Sequence, residues 1–246
     1  MYPSLSVVIP SYNEEKRLPP ALDRVVQYLM NGHYRDPEII IVNDGSSDRT
    51  SEVARGVAAE FTQSNLRIRV LDNSGNYGKG YSVRRGANES TGEWLLVSDA
   101  DLSAPIEECD KLFTAVKEGN FDAAIGSRAL DRSLIGVRQL LLREFIGRTF
   151  NVAVRLIAGL PFADTQCGFK LFSRQLARRV FAAQSLERFG FDVEILYLAK
   201  KFGFRVVEVP IRWDDVAGTK VATFSGADAF LDILRVRRND WLGKYD

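Results

Sequence analysis

Glu93-Trp94-Leu95-Leu96-Val97-Ser98-Asp99-Ala100-Asp101 decides how this chain reads. Residues 93–97 form a short apolar run, the pattern of a strand buried on both faces. The run ends in two carboxylates one residue apart. In an α/β fold, ligands bind outside the carboxyl ends of the strands. Extended backbone alternates its side chains with period two, so the spacing predicts that Asp99 and Asp101 point the same way. Ser103 continues the spacing. Such oxygen ligands suit Mg²⁺ or Mn²⁺, completed by water and phosphate. The plainer alternative is two loop acids in solvent, or acids used as a helix cap.

Around this run, apolar segments alternate with segments of helical spacing. Residues 5–9 read as a first strand, stopped by Pro10, with 38–42 as a second and 68–71 as a third. Residues 18–29 and 51–61 read as helices, and 77–88 as a glycine-rich turn that becomes a helix. The alternation predicts βαβ units and a mostly parallel sheet flanked by helices, an α/β fold. Right-handed crossovers then bring the loops after Ile9, Val42, Leu71 and Ser98 to one edge. The second half is less regular. Strands are expected over 121–125, 169–172 and 205–211, and helices over 134–160, 173–181, 192–202 and 226–238. No linker separates two domains, so residues 1–246 read as one unit.

The loops at that edge carry candidate ligand groups. Pro10-Ser11-Tyr12-Asn13-Glu14-Glu15 follows the first strand, and Asn43-Asp44-Gly45-Ser46-Ser47-Asp48 the second. Asp44 can accept from a ribose hydroxyl or a base nitrogen, and the same residues can be ordinary turns and caps. Asn76-Tyr77-Gly78-Lys79-Gly80 places glycines around a lysine, which fits a backbone approaching phosphate and equally a plain turn. Arg128 follows a strand and Gly126-Ser127. Arg138, Arg143, Arg148 and Arg155 punctuate the apolar segment 134–160, with Glu144, Arg148, Asn151 and Arg155 on one helical face. Such a helix either lies at a membrane interface with its arginines reaching phosphate headgroups, or packs on the core with a solvated stripe. Residues 164–170, Asp-Thr-Gln-Cys-Gly-Phe-Lys, can form a substrate loop, and Asp192 with Glu194 is a further acid pair or a helix cap. His33, beside Gly32, reads as an exposed turn residue.

Composition narrows the classes. The chain has 246 residues, 46% apolar and 26% charged, with a net charge of +1, so nothing draws it toward nucleic acid. Cys109 and Cys167 have neither metal nor redox spacing and fit a reducing compartment. No signal peptide opens the chain, and no run of roughly 18 apolar residues offers a membrane span. The Gly-x-Gly-x-x-Gly fingerprint and the P-loop are both missing, which counts against a nicotinamide dehydrogenase and a P-loop nucleotidase.

Taken together, the motifs resemble family 2 glycosyltransferases of the GT-A fold. They match most closely the branch that loads glucose onto dolichyl-type polyprenyl phosphates. The resemblance rests on residues 8–14, 42–48, 76–80, 99–101, 126–128, 164–172 and 191–194, and spans about residues 4–215. It implies that Pro10, Tyr12, Glu14, Asp44, Lys79 and Gly80 line a nucleotide pocket and that Asp99 faces ribose or sugar. Asp101 would be the main ligand of Mg²⁺ or Mn²⁺. Ser103 stands where related mannosyl-phosphate synthases carry the longer glutamine. Arg128 and Arg143 would grip the acceptor phosphate. Asp192 falls near the region that supplies a base in relatives acting on sugar hydroxyls. The implied reaction moves a hexose, glucose from UDP-glucose, onto a polyprenyl monophosphate with one inversion. Residues 1–104 would be the nucleotide-sugar half, 105–225 the acceptor half and 226–240 a closing helix. The lipid acceptor implies a peripheral protein on the cytoplasmic face of a membrane, touching it through residues 134–160. Transfer to a sugar or glycan hydroxyl with Asp192 as base, and a non-catalytic sugar-nucleotide-binding protein, are the alternatives.

Overall fold

The structure, a computed structural model, describes residues 3–32, 34–61, 65–137, 141–216 and 226–246, and only the backbone of 141–146, 148 and 226–229. His33 and Arg138 lie outside the described residues, as do the side chains of Arg143, Glu144 and Arg148. The first half runs β1 (Ser4–Ser11), α1 (Leu18–Asn31), β2 (Arg35–Asn43), α2 (Thr50–Glu60), β3 (Arg67–Asp72), α3 (Lys79–Glu89) and β4 (Trp94–Val97). Then come α4 (Cys109–Gly119), β5 (Ala123–Ser127), α5 (Leu141–Ile157), β6 (Lys170–Ser173), α6 (Arg174–Ala183), α7 (Phe191–Lys201), β7 (Val206–Pro210) and α8 (Gly226–Trp241).

The seven strands form one sheet in the order β3-β2-β1-β4-β6-β5-β7. All neighbours are parallel except β6, which runs against both β4 and β5. One reversed strand has a geometric consequence. The loop entering β6 arrives at the same edge as the loops leaving the other six strands, so residues 164–169 join the ligand edge from the opposite chain direction.

Side-chain alternation splits the core into two layers. Leu5, Val7 and Ile9 of β1 face one, with α1 and α4, while Val8 faces the other, with α3, α6 and α7. Helix α1 buries Leu18, Ala21, Leu22, Val25, Val26 and Leu29, a 3-4 spacing that makes one apolar face. Each fully buried aliphatic side chain in these layers contributes about 1.5–3 kcal/mol of transfer free energy. Helix α6 starts where Ser173 caps it, its side chain accepting from the Leu176 N–H. Among the described residues no helix is long and apolar enough to cross a membrane.

Three expectations change. Helix α4 had no counterpart in the sequence reading, although Cys109, Leu112, Phe113 and Val116 give it a buried face. The backbone does not stay extended past β4: Leu102 N–H donates to the Asp99 carbonyl (3.2 Å) and Leu102 has φ 46°, so residues 99–102 form a turn. Period-two alternation therefore ends at Val97, and Asp99 and Asp101 meet different partners. Finally, two residues of the expected polar face of α5 bond protein groups, Asn151 half-buried and Arg155 still exposed. Asn151 accepts from Thr165 N–H (3.4 Å) and hydroxyl (3.2 Å), and Arg155 Nε donates to the Phe162 carbonyl (3.0 Å). Val152 and Leu156 also face solvent, Leu156 at 80% exposure.

Candidate active site

The loops at the ligand edge are tied to one another in the order in which their strands lie. Pro10 lies beside Val42 one residue before the end of β1, and the chain turns at Asn13, whose φ of 55° is one that asparagine tolerates. Asn13 N–H donates to Ser46 Oγ (2.8 Å) and its Oδ1 accepts from Ser47 N–H (2.7 Å). Glu14 N–H donates to Thr50 Oγ1 (2.7 Å), and Glu15 N–H to Asp48 Oδ2 (3.2 Å). The first two loops thus share one hydrogen-bond seam, with Tyr12 exposed at its lip.

Asp44 fastens the second loop to the third. It is buried, and its carboxylate accepts from the N–H groups of Tyr77 (3.0 Å) and Gly78 (2.8 Å) and from Asn73 Nδ2 (2.8 Å). Expected to meet the nucleotide, Asp44 in this structure spends its charge ordering residues 77–78. Gly78, at φ 106°, then lets the chain enter α3 with Lys79 as first residue. Gly80 is small for a packing reason: a Cβ there would meet Phe191 Cβ at 2.7 Å and the Leu186 carbonyl at 2.8 Å.

Lys79 Nζ lies 2.6 Å from Asp99 Oδ1. Burial alone would lower its pKa, but the charges of Asp99, Asp192 and Asp101 outweigh it and hold the ammonium above the ordinary lysine value. Asp99 also packs against the backbone of Gly168, where any Cβ would collide with its carboxylate. Asp101 is oriented by Ser103, whose N–H (3.0 Å) and hydroxyl (2.9 Å) both donate to Oδ1. Ser103, expected as a metal ligand, therefore gives its proton to the carboxylate beside it.

Beyond the acids, Arg128 leaves β5 and grips Asp164 with two parallel bonds, Nε to Oδ2 (2.6 Å) and Nη2 to Oδ1 (2.8 Å). Its guanidinium lies over the Trp213 ring, 5.4 Å from the centroid. Burial would raise the Asp164 pKa, yet the Arg128 charge and its N–H groups hold it below the usual carboxylate range. Asp192 is 2% exposed and ion-paired with buried Lys170, whose Nζ also donates to the Cys167 carbonyl (2.5 Å). A carboxylate so covered is poorly placed to take a proton from a substrate hydroxyl. The Arg143 side chain lies outside the described residues.

The geometry therefore joins Glu14, Asp44, Lys79, Asp99, Asp101 and Ser103 into one edge and brings Arg128 to it through Asp164 and the 164–168 loop. It also adds residues that the sequence reading did not single out. Arg17 pairs with Glu14, a three-residue helical spacing that could have revealed it. Lys170 was read as the end of the 164–170 loop without its pairing to Asp192, and Trp213 follows β7 outside any motif.

Among the described residues there is no group of three His, Cys, Asp or Glu side chains that could hold a metal ion by itself. The donor set is nevertheless of the right kind for Mg²⁺ or Mn²⁺. These ions bind through one or two carboxylates, waters and substrate phosphates rather than a protein cage. Asp99 and Asp101 supply hard oxygens beside Lys79, where a diphosphate would complete the set.

Comparison with known proteins identifies the family and the fold. The sequence profile described as Glycosyl transferase family 2 matches residues 6–181. Dolichyl-phosphate beta-glucosyltransferase of Homo sapiens is 36% identical over 252 residues, covering 96% of this chain and 77% of that protein. The protein of the same name from Drosophila melanogaster is 38% identical over 252 residues, covering 96% and 76%. A crystal structure of glucosyl-3-phosphoglycerate synthase from Mycobacterium tuberculosis, in complex with Mn²⁺, UDP-glucose and glycerol 3-phosphate, superposes with a TM-score of 0.69 at 17% identity, covering 95% and 80%. That likeness bears on the fold alone, and it is the expected GT-A fold. The chain belongs to glycosyl transferase family 2 and is a glycosyltransferase.

Proposed function

We propose that the chain transfers glucose from UDP-glucose to a polyprenyl monophosphate of the dolichyl type, inverting the sugar to a β-linked lipid phosphate. The observation that carries this reading is the contact between Gly168 and Asp99. The 164–170 run, the part of the sequence most particular to the lipid-phosphate branch, touches Asp99 of the acid pair assigned to the donor. Similarity over 96% of the chain to proteins named dolichyl-phosphate beta-glucosyltransferase supports the same acceptor.

In this reading residues 1–104 hold the donor, 105–225 the acceptor, and 226–240 close the chain. Pro10, Tyr12 and Glu14 line the nucleotide pocket, and Asp44 keeps the 77–80 turn in position. Lys79, at the positive end of α3, faces the diphosphate. Asp101 and Asp99 would hold a Mg²⁺ or Mn²⁺ ion, which supplies positive charge beside the departing diphosphate. Arg128 and Arg143 orient the acceptor, Arg128 as a guanidinium fixed by Asp164 and Trp213. A phosphate oxygen forms the new bond to the anomeric carbon. The bond from that carbon to UDP breaks, and its electron pair leaves with UDP. The acceptor phosphate is already anionic at neutral pH, so no base has to remove a proton, which suits an Asp192 committed to Lys170. The protein works at the cytoplasmic face of a membrane, in peripheral contact through residues 134–160. Exposed Val152 and Leu156 support that contact.

A donor-by-acceptor matrix tests the whole reading. Purified protein is incubated with UDP-hexoses and polyprenyl phosphates, soluble sugars or glycans, and products are read by mass. A hexosyl polyprenyl phosphate formed only from UDP-glucose is expected. Product on soluble sugars alone would overturn the lipid acceptor, and nucleotide binding without any transfer would overturn the activity.

A further inference from the structure

Three acids at the ligand edge, Glu14, Asp99 and Asp101, already face protein cations. Asp99 has Lys79 at 2.6 Å. Glu14 accepts from Arg17 Nε at 2.7 Å and from Nη2 at 2.6 Å. The remaining nitrogen, Nη1, is buried without a hydrogen-bond partner and lies 3.8 Å from Asp101 Oδ2. That distance is a charge contact and too long for a hydrogen bond. A buried guanidinium nitrogen with no acceptor is costly unless another state of the site repays it. Asp101 Oδ1 is meanwhile occupied by Ser103, so Arg17 sits at the carboxylate oxygen that Ser103 leaves open.

The charges explain what this arrangement does. Glu14, Asp99 and Asp101 carry three negative charges and Arg17 and Lys79 two positive ones, which leaves a net of one negative charge. A bare divalent ion entering here meets two cations at close range and finds no three-ligand cage. A nucleotide diphosphate changes both conditions, because it brings negative charge and phosphate oxygens to the same place.

Resting on the metal-and-diphosphate reading of the site, we propose that Arg17 is a positioning residue that stands in for the divalent ion at Asp101 while the donor is absent. The ion consequently binds together with the nucleotide diphosphate and not ahead of it. Glu14 is the other half of the device. It retains the guanidinium through two bonds when Asp101 turns to the ion.

The test is Mn²⁺ binding to the full chain, followed by electron paramagnetic resonance of the free ion, with and without UDP. The proteins are the wild type, Arg17→Gln and Glu14→Gln, each checked for folding by circular dichroism. In the wild type UDP tightens Mn²⁺ binding by about tenfold or more, and Mn²⁺ tightens UDP binding by the same factor, as linkage requires. Arg17→Gln tightens Mn²⁺ binding in the absence of UDP and shrinks that factor. Glu14→Gln does the opposite, because the freed guanidinium closes on Asp101. General damage to the loop would move both variants in one direction. Equal Mn²⁺ affinity with and without UDP, or two variants that shift together, overturns the role of Arg17. Failure of the wild type to bind Mn²⁺ under either condition overturns the metal reading beneath it.

Discussion

Asp101 has little freedom: Ser103 fixes one oxygen and Arg17 faces the other. Asp101→Asn keeps the shape but removes the charge that would hold an ion. Product formation in a metal titration is expected to fall about 10²–10³-fold, the scale of losing one electrostatic stabiliser. Gly168 makes a second residue-scale prediction. Its backbone is not left-handed, so alanine is locally tolerable, but the added Cβ displaces the Asp99 carboxylate. Gly168→Ala should lower turnover about ten- to hundredfold with a melting temperature close to wild type, as misplacement at a reacting site does. The Arg128–Asp164 pair sets a pH dependence. The folded Asp164 pKa lies below the ordinary 3.8, so the pair stabilises the protein fully above that value and is lost as pH falls through the lower folded pKa. Arg128→Gln leaves a buried carboxylate uncompensated, which costs about 3–5 kcal/mol. Circular dichroism on acid titration should show unfolding at a higher pH than wild type.

At the scale of elements, α5 and α8 present apolar side chains to solvent where the core does not need them. Val152 and Leu156 lie one turn apart on α5, and Leu234 and Trp241 two turns apart on α8, beside Arg235 and Arg238. Leucine and tryptophan flanked by arginine suit the boundary of an anionic bilayer. Replacing Val152 and Leu156 with glutamine should reduce co-flotation with anionic liposomes severalfold, with circular dichroism unchanged. Flotation equal to wild type would remove the α5 contact. The parallel strands and their helices were legible in the sequence because apolar runs of four or five residues alternate with 3-4 spacing. The direction of β6 was not, since Lys170-Leu171-Phe172-Ser173 is buried in either orientation. Helix α4 escaped because its start carries no capping side chain. The turn at 99–102 escaped because nothing about leucine announces a positive φ at Leu102. The identity of the site residues was far more visible than their partners. The partners of Asp44 and Asp192 come from 29 or more and from 22 residues away, a separation that no local pattern encodes.

For the whole molecule, the sheet edge acts as one hydrogen-bonded rim, from the first loop through Asp44 and Lys79 to Asp99, Gly168 and Arg128. That rim is assembled late, because β6 enters between β4 and β5 long after β4 has been made. Until residues 170–173 arrive, the Trp94–Val97 strand offers bare amide and carbonyl groups along a hydrophobic flank. Unpaired edges of that kind recruit other chains. A fragment of residues 1–104 should therefore self-associate on size-exclusion chromatography, whereas the full chain seals the same margin with its own later segment. Synthesis would thus pass through a sticky interval, ended by a strand of four residues threaded backwards into the middle of the sheet.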